Sequence, residues 1–222
     1  MLLAVDTSTR YLGVALYDGV SVLSEMTWLS QNHHTVELGP AVAAALKQAD
    51  VDGTALEAVA VALGPGSFTG LRIGLAFAKG LALSRRIPIL GIPTLDILAA
   101  AQPLSNVVLA AVLEAGRKRL AVAWYQVGGG CWNSTGELEN LTIAEFVDKL
   151  QAPMTVCGEL SKTLREQIAA KHEDILLASP AHAIRRPSFL AEMAWSRWQK
   201  GESDDPATLK PIYLHHGDPI PG

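Results

Sequence analysis

Asp6 ends the apolar run LLAV and is followed by Thr7, Ser8 and Thr9, which makes it the carboxylate best placed to do chemistry. A carboxylate there could hold a metal–phosphate complex, or it could accept hydrogen bonds from its own turn. The second candidate is Gly64-Pro65-Gly66-Ser67-Phe68-Thr69-Gly70, a glycine turn between an apolar run and a helix-forming stretch. Free N–H groups at a helix start can cradle an anion. Asp6, Ser8, Gly64, Gly66 and Ser67 are therefore the residues with which a phosphate could be held. The spacing nevertheless departs from the familiar phosphate motifs. G-x-G-x-x-x-G is one residue longer than the dinucleotide fingerprint, and no Gly-Lys-Ser/Thr follows. That favours a tight turn packing a helix closely on a sheet.

Little else in the chain could react. His33-His34 and His215-His216 are adjacent pairs, and neighbours diverge by about 100° on a helix or point to opposite faces on a strand. Neither makes a convenient metal clamp. There is no H-E-x-x-H, no G-x-S-x-G and no Cys/His cluster. Asp50, Asp52, Asp204 and Asp205 read as solvated loop residues. Trp195 and Trp198, three apart, read as helix packing. No catalytic residue, cofactor site or metal site is assigned.

These groups need a scaffold, and the sequence outlines one. Strands are predicted at 2–5, 12–17 and 20–28, with Asp18-Gly19 as a hairpin signal. A helix is expected over 36–49, with Leu38, Val42, Ala45 and Leu46 on one side and Pro40 kinking it or marking its first turn. Residues 56–63 form a buried strand, 69–84 a helix capped by Ser67 or Thr69, 87–92 another strand, and 93–101 a helix. The order β-β-β-α-β-α-β-α closes near Gln102-Pro103, which sets lobes of 1–103 and 104–222. Strands near 107–114, 119–127, 154–157 and 175–178 follow, with the Thr142/Glu145 capping box opening a helix to Leu150. Helices at 162–171 and 188–200 and a strand-like 211–214 complete the chain. Gly66, Gly70, Gly74 and Ala78 recur every four residues and let another backbone come close, either this chain's sheet or a second subunit.

At 222 residues the chain is long enough for a proper core, and its 49% hydrophobic content marks a globular protein. The net charge of −4, from 18 basic and 22 acidic residues, gives no general attraction for nucleic acid. Arg85-Arg86, Arg117-Lys118-Arg119 and Arg185-Arg186 read as solvated loops or helix ends. Cys131 and Cys157 are too few for a disulfide framework and fit a reducing cytosol. No run approaches a membrane span, so a soluble, cytoplasmic protein is expected.

VDTSTRYLGVALYDG at 5–19, GPGSFTGLRIGLAFAKGLAL at 64–83, IPILGIPTLDILA at 87–99 and KPIYL at 210–214 resemble the TsaB (YeaZ) family. The resemblance implies the actin-like ATPase, ribonuclease H-like fold of two α/β lobes. It implies a non-catalytic role in threonylcarbamoyl modification of the adenosine beside the anticodon in tRNAs reading ANN codons. The implied partners are a TsaD-like catalytic subunit, a TsaE-like ATPase and a second copy of the chain, with tRNA met only through the complex. TsaD-like paralogues carry a metal-binding H-x-x-x-H where this chain has Thr94 and Leu98, so no metal is expected. The D-x-G-[ST] phosphate turn of actin-like ATPases is here Asp6-Thr7-Ser8-Thr9, without the glycine. The resemblance also implies a partner face on the helices at 36–49 and 69–84, and Leu38, Val42, Gly70, Gly74, Phe77, Ala78 and Leu81 are its candidates. Two other classes remain: an ATPase or small-molecule kinase using Asp6 and the 64–70 turn, and, against the missing ligand pair, a metallopeptidase.

Overall fold

The structure, a computed structural model, describes residues 1–31, 33–116, 118–171 and 174–214. Arg117 and the His215-His216 pair lie outside the described residues. The chain divides into two compact units, Met1–Ile97 with Arg185–Ile212, and Leu98–Ile184 with Tyr213 and Leu214.

The first unit opens with strands β1 (Leu2–Asp6), β2 (Tyr11–Tyr17) and β3 (Val22–Leu29). Asp18 sets the hairpin between β2 and β3 by accepting from the N–H groups of Val20 and Ser21, and Gly19 supplies the positive φ of 96°. Helix α1 (His34–Gln48), strand β4 (Ala58–Ala62), helix α2 (Phe68–Arg85), strand β5 (Ile89–Ile92) and helix α3 (Thr94–Ala100) follow. The five strands are ordered β3-β2-β1-β4-β5, with β1, β4 and β5 parallel to one another.

Alternation along the strands sorts the core onto two faces. Leu3, Val5, Val59 and Val61 face one way and pack with Leu38, Val42, Leu75 and Ala78 of α1 and α2. Leu2, Ala4, Ala58, Ala60 and Ala62 face the other way, and the four alanines let Leu190, Ala191 and Ala194 of α6 (Pro187–Gln199) settle on the sheet. The last helix therefore completes the first unit. A single boundary after residue 103 does not describe this chain, because apolar residues at 190, 191 and 194 bury against a sheet made at its start.

Pro40 lies well inside α1, which begins at His34 and continues to Gln48, so the helix runs through the proline at the loss of one N–H bond. Ser67, not Thr69, caps α2, accepting from the Gly70 N–H at 3.2 Å. Arg86 ends α2 in the left-handed region, with φ 55°.

The second unit contains β6 (Val108–Ala115), β7 (Arg119–Gly128), β8 (Cys131–Ser134), β9 (Glu139–Thr142), α4 (Ile143–Lys149), β10 (Met154–Glu159), α5 (Lys162–Lys171) and β11 (Ile175–Leu177). Its sheet order, β8-β7-β6-β10-β11, repeats the pattern of the first sheet, with β9 as an addition beside β7. Phe146 of α4 and Leu164 and Ile168 of α5 pack on Val112, Val122 and Val156. The Thr142/Glu145 capping box forms as the sequence predicts. Residues 211–214 are not a strand; Ile212 makes a single backbone bond to Leu63. No helix among the described residues is long and apolar enough to cross a membrane.

Candidate functional site

In the first unit β1, β4 and β5 run parallel, so their carboxyl ends and the loops that leave them share one edge of the sheet. In open α/β sheets this edge is where ligands bind. Asp6 stands at the end of β1, the glycine turn follows β4, and Thr94 follows β5.

Asp6 is only 3% exposed, and both of its oxygens are engaged. Oδ1 accepts from the Ser8 N–H at 2.8 Å and from the Ser8 hydroxyl at 2.5 Å. Oδ2 accepts from Arg185 Nε at 2.7 Å, and the same guanidinium donates to Thr9 Oγ1 at 2.9 Å. Arg185 is 2% exposed, so a full ion pair is buried here. This corrects its assignment as a solvated residue. A charge desolvated to that degree persists only with a partner that replaces water. The pair spans 179 positions, and no local pattern in the sequence announces it.

The glycine turn is tied to Ser8 and Thr94, while Gly66, Ser67, Phe68 and Thr69 are exposed. Gly64 donates to Thr94 Oγ1 at 2.9 Å and its carbonyl accepts from the Thr94 N–H at 2.8 Å. Ser67 N–H donates to the Ser8 carbonyl at 2.6 Å, and a Cβ on Gly66 would overlap that same carbonyl. A Cβ on Gly70 would overlap the Thr7 carbonyl, and one on Gly74 the Thr7 hydroxyl, which itself donates to the Gly70 carbonyl at 2.7 Å. Asp6, Ser8, Gly64, Gly66 and Ser67 are thus brought together, but around each other. The N–H groups of Gly64, Ser67 and Gly70 bond within the protein, and Asp6 offers no oxygen without a donor. Such a site can hold the loop in shape; as arranged it has no open carboxylate for a metal–phosphate complex.

The partner-face candidates need a correction. Leu38, Val42 and Ala78 are 2%, 7% and 0% exposed, and Gly70 and Gly74 face Thr7. These five are spent inside the unit. Phe77 and Leu81 are half-buried and pack against the same core. A row of small residues has the same spacing whether it meets its own sheet or a second subunit. The outer faces are lined instead by Val36, Gly39, Pro40, Ala43 and Ala44 of α1, and by Phe68, Ala76, Gly80 and Leu83 of α2. Val36, Phe68 and Leu83 are 68%, 55% and 65% exposed, and Arg72 lies over the Phe68 ring at 3.7 Å.

Elsewhere, His34 is buried at the start of α1 while His33 is exposed, so the pair does not converge. Among the described residues no three His, Cys, Asp or Glu side chains gather as metal ligands. Trp195 packs edge-on against Trp198 and Tyr17, with ring centres 4.9 and 5.6 Å away. Asp204 is not a solvated loop carboxylate, because it accepts from Arg197 and from the Gly91 N–H. Burial pushes the Glu25 carboxyl up, but hydrogen bonds from Arg186 and Ser188 outweigh it and hold the group below the usual carboxylate range. Glu25 thereby anchors the first turn of α6.

A family model described as "TsaD: tRNA N6-adenosine threonylcarbamoyltransferase" matches residues 26–194. The tRNA threonylcarbamoyladenosine biosynthesis protein TsaB of Bacillus subtilis is 32% identical over 96% of this chain and 93% of its own length. The chain belongs to the TsaB (YeaZ) family. YeaZ from Pseudomonas aeruginosa superimposes with a TM-score of 0.77 at 26% identity, covering 96% of this chain and 99% of that one. A hexokinase of the ROK class from Thermus thermophilus, at 11% identity and a TM-score of 0.51 over 90% of this chain and 99% of its own, shares the fold alone. The chain thus has the actin-like α/β fold built from two units.

Proposed function

We propose that this TsaB-family chain is a non-catalytic subunit of the machinery that makes threonylcarbamoyladenosine in tRNA. It would act on tRNAs reading ANN codons, beside a TsaD-like catalytic subunit and a TsaE-like ATPase, meeting tRNA only through that complex. The supporting observation is the closed Asp6 site: a buried arginine occupies the carboxylate, and the glycine turn is bonded to Ser8 and Thr94. A chain that uses its phosphate-like loop to hold itself together is suited to shaping a partner.

The outer face of α1 and α2 is the proposed contact, first with a second copy and in competition with the TsaD-like subunit. Exposed Val36, Phe68, Ala76 and Leu83, together with half-buried Phe77 and Leu81, give it an apolar character with little side-chain bulk at Gly39 and Gly80. Reconstituted tRNA modification with cognate TsaD- and TsaE-like proteins tests the reading. Omitting this chain should abolish product, and the chain alone should hydrolyse ATP no faster than buffer. Ala76→Glu, on an exposed helical position, should leave folding intact while weakening both self-association and modification. Full modification without the chain, or magnesium-dependent ATP turnover by the chain alone, would reject the proposal.

A further inference from the structure

After α6 the chain turns back over the edge of the first sheet. Asp204 N–H donates to the Ile89 carbonyl at 2.9 Å, an antiparallel bridge to β5, and its Oδ2 accepts from the Gly91 N–H at 2.7 Å. Arg197 secures the same point by donating to Asp204 and to the Gly91 carbonyl. A turn held by the Asp205 carboxylate, which accepts from Ala207 N–H at 2.9 Å, then redirects the chain. Leu209 and Ile212 rest on the core, and Ile212 N–H donates to the Leu63 carbonyl at 2.7 Å. The Ile212 carbonyl lies so close to Gly64 that a Cβ there would meet it.

The far end of this segment therefore bears on the residue pair that opens the glycine turn. Thr94 bonds Gly64 through its hydroxyl and its N–H, and the Ile212 carbonyl packs against Gly64 as well. The segment is attached lightly, since every residue from Ser203 to Ile212 is exposed or half-buried. Stretches with few buried contacts open locally at lower free energy than the fold as a whole.

We infer that Asp204–Ile212 is a strap whose seating on β5 and Leu63 sets the geometry of the turn from which α2 starts. When the strap lifts, the turn loses its backing and the first turn of α2 loosens with it. The significance for partner contact rests on the proposed α1–α2 face. The coupling itself is a property of the isolated chain.

Residue-resolved hydrogen exchange on the full chain tests it. In the unmodified protein at rising urea, the amides of Asp204, Leu209 and Ile212 should share one opening with those of Gly64, Ser67 and Gly70. In Asp204→Ala, changed only at the β5 end of the strap and away from the turn, exchange at Gly64, Ser67 and Gly70 should rise at least about tenfold, while amides of β1 and β4 stay within about twofold. Faster exchange in the strap with unchanged exchange in the turn would overturn the inference, as would an opening in which turn and strap differ in urea dependence. Should Asp204→Ala fail to fold, the urea series on the unmodified protein decides alone. Both readouts are independent of whether the chain binds a TsaD-like partner.

Discussion

Arg185→Met removes the cation from Asp6 while keeping a long apolar stem in its place. The bonds lost include Nε to Asp6 Oδ2 at 2.7 Å and Nη2 to Thr9 Oγ1 at 2.9 Å. A carboxylate 3% exposed is then left uncompensated. Breaking a buried pair from one side costs about 3–5 kcal/mol, chiefly because the remaining charge is stranded. Asp6 keeps two donors from Ser8, which places the expected loss near the lower end, about 3 kcal/mol. Against a total stability of about 5–15 kcal/mol that is a large fraction. The double variant Asp6→Asn, Arg185→Met carries no buried charge and should lose only about 1–2 kcal/mol, because a neutral amide can still bond Ser8. Urea unfolding followed by circular dichroism gives the four corners of the cycle. If Arg185→Met costs under about 1 kcal/mol, or if the two single losses simply add in the double variant, the pair does not hold the loop.

Glu25 gives a pH signature, since its folded-state carboxyl titrates below its usual value. The ionised form's contribution is complete above the unfolded value of about 4.5 and is lost as pH falls through the lower folded value. The melting-temperature gap between the native protein and Glu25→Gln should accordingly be constant above about pH 5.5 and shrink toward pH 3; a gap that widens in acid would contradict the assignment. Gly74→Ala should destabilise by about 1–3 kcal/mol through collision with Thr7, whereas Gly80→Ala, whose Cβ meets nothing within 4 Å, should stabilise by about 0.5–1 kcal/mol; thermal melts of the two variants moving the same way would refute this. Burial pushes the Cys157 thiol up and it is 1% exposed, while Cys131 is exposed. Titration of the native protein with a disulfide reagent at pH 8 should therefore modify Cys131 quickly and Cys157 only on unfolding.

What the sequence made legible was local. Asp18-Gly19 and the Thr142/Glu145 box are decided by residues within a few positions of each other and form where the pattern puts them, and the α2 cap falls on Ser67, one of the two residues the pattern offers. The two-lobed fold followed from the strand order together with the GPGSFTGLRIG resemblance. Long-range choices were hidden. Arg185 carries no mark that separates it from Arg186, yet one is buried on Asp6 and the other sits exposed on Glu25. Gly70 and Gly74 signal close approach without saying to what, and the structure answers with Thr7. Alternation in β1 shows two buried faces, but only the fold reveals that the second face waits for residues 187–199.

That last arrangement bears on how the protein is made. A ribosome releases β1 to β5 long before α6, so the alanine-rich face of the first sheet must emerge without its cover. Leu98–Ile184, the contiguous greater part of the second unit, can mature while the first unit still lacks α6, an inversion of the usual amino-terminal-first sequence. During that interval the bare sheet is a natural client for a chaperone. A premature stop codon ahead of Arg185 would also leave Asp6 without its counter-charge, so the product would be a substrate for proteolytic quality control and not a shortened working protein.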